Sequence, residues 1–516
     1  MVSALILGAV VSLAAGQGLI SPFEMEDKGS STNSIDTLVL AELSKHGIEA
    51  APLCSDEVFI RRAYLDVIGT LPTASEVERF LQDTTPDKRY TLIEDLLGRE
   101  EFADYWALKW CDILRVKSEF PINLWPNAVQ CYHRWIRESI RDNKPCDEFA
   151  REMLTSSGSN FRVPPVNFYR AIQNREPEGI AGAVALTFMG ARVEHWAPEQ
   201  RDGMAKFFSR VAYKSTAEWK EEIVYLDPAP AEAMSAMLPD GVTLQLDPGK
   251  DPRGLFADWL LSADNPWFAR NMANRVWSWL LGRGIIHEAD DIRPDNPPSN
   301  PALLSYLEDE LVRSGYDLRR LYLLILNSHT YQRSSIARSE APEAELLFAC
   351  YPVRRMDAEA LIDAVCGITG TREAYSSAVP EPFSYIPDYQ RSIALADGSI
   401  TSPFLEMFGR PPRDTGLESE RTNAMTDPQR LHLLNSSQIQ RKIEQGVRSR
   451  LTGGGGKGDQ RDMVHSVYLN ILSRKPTEDE TAAALRYAES SGLKRDQAMC
   501  DLAWALINTK EFLYRH

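Results

Sequence analysis

The sequence lacks the short motifs that announce the common chemistries. No C-x-x-C occurs among its seven cysteines (Cys54, Cys111, Cys131, Cys146, Cys350, Cys366, Cys500), and its eight histidines show no H-E-x-x-H. There is no G-x-S-x-G, and no G-x-G-x-x-G that follows a strand. A redox dithiol, a zincin helix, a serine-hydrolase elbow and a dinucleotide fold therefore lose their usual signatures. Positive charge is also short: 57 Lys and Arg stand against 73 Asp and Glu, a formal net charge of −16. Such a chain lacks the electrostatic footprint for a phosphate backbone, which excludes nucleic acid as an expected partner. Beyond the first residues no apolar run is long enough to span a bilayer. The odd, scattered cysteines do not make a disulfide scaffold; Cys111, Cys131 and Cys146 are read either as one disulfide or as buried small hydrophobes.

What is present is an ordinary globular composition, 43% hydrophobic and 25% charged over 516 residues, enough for two to four domains. The apolar run from Val2 to Ala15, with Ala14-Ala15-Gly16 at its end, fits a signal peptide of residues 1–16 cleaved before Gln17. A buried helix or a misplaced start is the alternative, since the positive n-region is missing. Most of the remainder reads as helix. Thr73…Glu76 and Thr477…Glu480 are capping boxes, and Thr85-Pro86 reads as a cap before proline. Phe102, Trp106, Trp110 and Ile113 form a core-facing stripe. Helices are expected over residues 127–142, 146–154, 176–188, 198–211, 264–281, from 299 onward, and 317–326. One long helix is expected from Asp427, with Leu431, Leu434, Ile439, Ile443 and Val447 on one face. Strand-like residues occur only at 221–226 and 237–246, where Pro239-Asp240-Gly241 offers a turn for a small hairpin. Residues 371–403 are irregular, with scattered tyrosines, and "GGGGKG" (453–458) is a flexible connector, not a phosphate loop, because no Ser or Thr follows the lysine.

The fold class is thus mainly α: a multi-helical two-domain protein with a small β-hairpin insertion near residues 221–246. Its expected parts are a signal peptide (1–16), a linker with a short helix (17–50), a first helical domain (51–212), a β-containing connector (213–252) and a second helical domain (253–516).

The best acidic cluster is the proline-rich loop carrying Asp290, Asp291 and Asp295, which could serve a hard cation or supply a general acid and base. Helix capping and pairing with Arg283 or Arg293 is the plainer reading. Arg270 with Arg275, and Arg410 with Arg413, Glu420 and Arg421, could hold an anionic ligand or lock helices together. Arg61-Arg62 near Asp66 is a third such group. Trp106, Trp110, Trp135, Trp277 and Trp279 are read as core rather than as sugar-stacking rings. His195, between Glu194 and Trp196 in "GARVEHWAPEQRDGMAKFF" (190–208), is a weak candidate metal ligand.

Two sets of phrases carry a resemblance. "FIRRAYLDVIGTLPT" (59–73) and "YWALKWCDILR" (105–115) resemble domain-of-unknown-function family 1549 of planctomycetes and related bacteria. "NPWFARNMANRVWSWLLGRGII" (265–286), "NPPSNPALL" (296–304), "LLNSSQI" (433–439) and "DLAWALINTKEFLYRH" (501–516) resemble its usual partner, family 1553. The resemblance implies an exported protein of a cytochrome-associated type, often encoded beside sulfatase-like secreted proteins. It also exposes departures. The cytochrome-like domain that longer relatives often carry ahead of the first family segment is expected to be missing. Relatives carry a C-x-x-C-H segment before the tryptophan that matches Trp196, whereas only Val193-Glu194-His195 stands here. They often read C-x-C-E-R where this chain has Leu417, Ser419, Glu420 and Arg421. Loss of both cysteine pairs together implies that residues 194–198 and 417–421 approach each other and that no covalent haem site remains.

The resulting expectation is a periplasmic or extracellular, non-catalytic helical protein that needs no cofactor and binds a protein partner, such as a sulfatase-like exported protein, or a polysaccharide. The alternatives are a polysaccharide hydrolase using the loop carboxylates and a degenerate relative of a haem-associated electron-transfer protein.

Overall fold

A computed structural model describes residues 18–26, 33–228, 234–451 and 459–516. The expected signal peptide and the glycine-rich connector lie outside the described residues. The chain is mainly α-helical, with only small antiparallel sheets of two or three strands among the described residues. None of its described helices is long and apolar enough to cross a membrane.

Local chemistry starts most helices where the residues place them. Thr73 caps Ala74–Gln82 and Thr477 caps Glu478–Ser490 in reciprocal boxes with Glu76 and Glu480. Asn300 accepts from Leu303 N at 3.0 Å and Asp317 from Arg320 N at 2.9 Å, opening Pro301–Arg313 and Leu318–Leu326. Asn265 accepts from the backbone N–H groups of Trp267 and Phe268, so that helix begins at Phe268 and runs to Leu281. Thr85 does not cap. Its hydroxyl and N–H both turn back to Asp83, at 2.7 and 2.9 Å, and the helix begins later, at Lys88.

Three expectations are corrected by packing. The helix opened by Pro198 ends at Ala205, and Val211–Ser215 is a strand paired with Glu222–Leu226. The latter strand also pairs with Gly158–Ser159, so residues 221–226 belong to a three-stranded sheet. The Pro239-Asp240-Gly241 turn instead closes a separate hairpin of Met234–Met237 with Thr243–Leu246. Finally, the long helix from Asp427 is two helices, Asp427–Asn435 and Ser437–Gly446, broken at Ser436 (φ −68°, ψ 118°), whose side chain caps the second. The break rotates the faces apart: Leu431 is 57% exposed, while Leu433 is 1% exposed and Ile439, Ile443 and Val447 are buried.

Apolar side chains gather in two cores. The larger gathers residues between Ile35 and Tyr351 with Ile393, Ala396 and Leu469 and holds the Trp106 stripe, while the second gathers Leu65 and residues between Met356 and Leu513 around Ala358–Thr369, Gln460–Leu472 and Arg495–Ile507. The chain end ties them: Tyr514–Arg515 pairs with Arg354–Arg355. All seven cysteines carry free thiols; Cys111 and Cys146 are buried, and half-buried Cys131 donates to Phe161 O.

Candidate functional site

Buried charge concentrates between the two cores. Lys109 and Asp112 stand one turn apart on Glu100–Ile113. Asp357 and Glu359 stand at the start of Ala358–Thr369, where the helix dipole favours carboxylates. Lys109 Nζ and Arg515 Nη2 reach Asp357 Oδ2 at 2.9 and 2.8 Å, and Tyr105 donates to the same oxygen at 2.7 Å. Arg421 bridges Asp112 (2.6 Å) and Glu359 (2.7 Å), and Arg413 adds a contact to Asp112 at 2.8 Å. Burial alone would push the Asp357 carboxyl up, but Lys109, Arg515 and Arg421 outweigh it and hold it well below the usual range. Glu359 is likewise held down against burial, chiefly by Arg421. Arg410, within 3.5 Å of Glu359, is pushed down to about 10 by burial and by neighbouring Arg413. A shallow dimple, no larger than a water molecule, opens on this cluster beside Lys109, Asp112, Trp279, Glu418 and Arg421.

The residues singled out from the sequence divide among several places. Asp290 is fully buried and accepts from Arg192 Nη2 at 2.9 Å and from Glu418 N at 3.0 Å. Through this one carboxylate Arg192, just ahead of residues 194–198, meets Glu418 of the 417–421 loop. Glu418 continues inward, accepting from Arg275 at 3.0 Å and from Trp279 Nε1 at 2.7 Å. Asp291 and Asp295 turn to Arg293 instead, at 3.1 and 2.9 Å. Half-exposed His195 has its Nε2 4.0 Å from Asp291. Arg270 points elsewhere, to Glu308 at 2.8 Å. Arg410 donates to the carbonyls of Ile400 and Asp397. Glu420 folds its own loop, accepting from Asp414 N and Thr415 N. Arg61 and Arg62 are buried donors to backbone carbonyls, while Asp66 takes Arg354 and Arg515.

Both loops are shaped for close approach. Gly190 ends its helix at φ 61°, and a Cβ there would lie 2.6 Å from Asn271 Oδ1. Gly416, at φ 77°, would place a Cβ 2.6 Å from Ile113 O. Val193, Glu194, Leu417 and Ser419 offer no thiolate, so this donor set does not fit the covalent haem or thiolate metal that the cysteine-bearing pattern implies. Among the described residues no three His, Cys, Asp or Glu side chains are arranged to hold a metal ion.

A second feature escapes sequence reasoning altogether. Trp125, Trp219 and Phe383, from three separate loops, form a triangle of rings with centroids 4.7, 5.4 and 5.6 Å apart. Trp219 is 60% exposed and Phe383 46%. Trp125, half-buried beneath them, has φ 72° and ψ 147°, and Asn123 and Lys220 also take positive φ. The loops are pinned from behind: Ser118 N donates to Asp397 Oδ1, Glu119 N to Ser399 Oγ, and Asn160 Nδ2 to Lys220 O. None of these rings shares a periodic stripe, so the only local sign is the irregularity of residues 371–403. By contrast, Trp106, Trp110 and Trp277 are buried and Trp135 and Trp279 half-buried, in keeping with the core reading.

Fold and sites together define a two-core helical protein joined by buried ion pairs and displaying an aromatic face. Family models match residues 34–196 as Protein of unknown function (DUF1549) and residues 252–488 as Protein of unknown function (DUF1553). A segment matching each family is therefore present, in the order the motifs indicate. No curated protein and no solved structure matches it.

Proposed function

We propose that the chain is an exported, non-catalytic binding protein that engages a protein partner or a surface polymer through its aromatic face. The conformation of Trp125 carries this reading. A bulky residue near a glycine-only region of backbone space costs about 1–3 kcal/mol and persists only where its surroundings enforce it. Here the enforced geometry holds Trp219 and Phe383 in solvent. Strain that displays apolar rings is a property of recognition surfaces, not of cores. Export rests on the apolar leader and its small-residue cleavage site. The contact of Arg192, just ahead of residues 194–198, with Glu418 through Asp290 supports the further reading that this member has lost a cysteine-bearing site and kept its scaffold.

The test is co-sedimentation of the purified protein with washed envelopes of its source organism. The wild type should pellet with the envelopes, and a Trp219→Ala/Phe383→Ala variant with an unchanged thermal transition should stay in the supernatant. Equal pelleting of the two would remove the aromatic face from the function.

A further inference from the structure

The exposed aromatic side chains among the described residues are Tyr90, Phe120, Trp219, Phe383, Tyr385 and Tyr389. All but Tyr90 lie on the loops 118–125, 216–221 and 380–390 that build the ring triangle. The same loops are acidic: Glu119, Glu218, Glu221, Glu381 and Asp388 stand against Lys220 alone. Arg162, from outside the three loops, pairs with Glu218 at 3.4 Å and with Glu221 at 3.6 Å. Glu119, Glu381 and Asp388 have no ion pair among the described residues, and the last two are exposed. The rings themselves already seat a cation. Lys220 Nζ lies 5.4 Å from the Trp125 ring centroid and 5.9 Å from that of Trp219.

We propose that this face binds an arginine-rich segment of a protein partner, with guanidinium groups stacked on Trp219 and Phe383 and paired with Glu381 and Asp388. This rests on the reading of the face as a binding surface and names its ligand class. Charge and ring geometry select it together. The face of an aromatic ring carries negative charge and attracts a cation. A planar guanidinium both stacks on such a ring and forks to a carboxylate. Anionic occupants meet like charge on all three loops, and so does a second copy of the chain, whose net charge is −16. The ring planes are inclined to one another by 57°, 65° and 67°, so no two of them form a flat platform for successive sugar units. A side-chain cation needs only one ring face at a time. The negative field of the whole chain steers a basic segment inward, and the rings decide where it docks. Lys220 is the one competitor on the face, as a like charge that already covers two of the rings.

Fluorescence anisotropy of a labelled arginine nonamer, titrated with the purified protein at physiological salt, tests this. An acidic chain attracts polycations over its whole surface, so the variants compare sites at matched charge. Trp219→Ala leaves the charge unchanged and should weaken binding about fivefold, the scale of one exposed cation–π contact. Glu381→Gln/Asp388→Asn should also weaken it about fivefold. Asp309→Asn/Glu478→Gln removes the same charge from the helices Pro301–Arg313 and Glu478–Ser490 and should weaken it by less than about twofold. Lys220→Ala should tighten binding about twofold, because a like charge leaves and ring faces are freed. A lysine nonamer should bind more weakly than the arginine nonamer, since an ammonium has no plane to stack. Absence of arginine-nonamer binding, unchanged affinity in Trp219→Ala, equal losses in the two double variants, or weaker binding in Lys220→Ala each overturns the proposal. Equal affinity for the lysine nonamer overturns it as well. The neutral glucan laminarin supplies the other arm. Quenching of tryptophan fluorescence by laminarin that is lost in Trp219→Ala, with no nonamer bound, overturns the ligand class and leaves the face a binding surface. Pelleting with envelopes that depends on Trp219 and Phe383, with no nonamer bound, does the same. Should neither pelleting nor nonamer binding depend on the rings, the reading of the face falls with its ligand.

Discussion

Arg421 shows most clearly what individual residues contribute. Its side chain is only 9% exposed, it touches both Asp112 and Glu359, and both carboxylates are themselves buried. A buried ion pair adds little over an apolar substitute, but removing one partner leaves charges stranded in low dielectric. Arg421→Ala should therefore cost about 3–5 kcal/mol in urea-induced unfolding. The exposed pair Arg293–Asp295 is the contrast, since Asp295 faces solvent and Asp295→Ala should change stability by less than about 1 kcal/mol. Comparable losses for the two variants would mean that Arg421 is not the keystone its contacts suggest. The sequence alone groups Arg410, Arg413, Glu420 and Arg421 and allows either locking or ligand binding. The side chains divide those roles: Arg421 locks two elements, while Glu420 folds its own loop.

Elements are readable where a local rule sets them. The boxes at Thr73 and Thr477 and the caps at Asn300 and Asp317 are decided by atoms within four residues. The failures share a different cause. The helix expected over 198–211 stops at Ala205, and Val211 instead opens the strand Val211–Ser215 because Glu222–Leu226 lies beside it. Ser436 looks like an ordinary helix residue until Leu433 and Ile439 must both be buried on faces that one straight helix cannot supply. The aromatic face is invisible in the sequence because its rings come from loops about 95 and 165 residues apart, with no shared period to read. The family pattern points to an approach of residues 194–198 to 417–421; the contact seen is that of Arg192 with Glu418 through Asp290, a carboxylate that nothing in that pattern names. Gly190 supplies a prediction at this scale. Its left-handed φ, and the 2.6 Å that would separate an added Cβ from Asn271 Oδ1, leave no room for alanine. Gly190→Ala should destabilise by more than about 1 kcal/mol in thermal unfolding, with helical content unchanged. A neutral substitution would show that the loop relaxes freely.

For the whole molecule, the question is what makes two apolar cores behave as one body. Between them lie Lys109 and Asp112 from one side, and Asp357, Glu359, Arg421 and Arg515 from the other. Asp357 and Glu359 have folded-state values depressed below their ordinary ones, against the opposing effect of their burial. A depressed carboxylate contributes stability that is fully present above its unfolded value and is lost as pH falls through its folded value. The coupling should thus be intact at neutral pH and persist down to about pH 4, near the unfolded carboxylate values. Below that, protonation removes the charge from Asp357 and Glu359 while the lysine and arginines around them stay cationic. Calorimetry should accordingly show one transition at pH 7 that resolves into two in stronger acid. Arg421→Ala should already give two at pH 7, because it removes the contact that holds Asp112 against Glu359. Two resolved transitions for the wild type at pH 7 would mean that the cores are joined by something other than these charges. A single transition for Arg421→Ala across the whole range would mean that the apolar contacts and the C-terminal strand at Tyr514–Arg515 suffice without them.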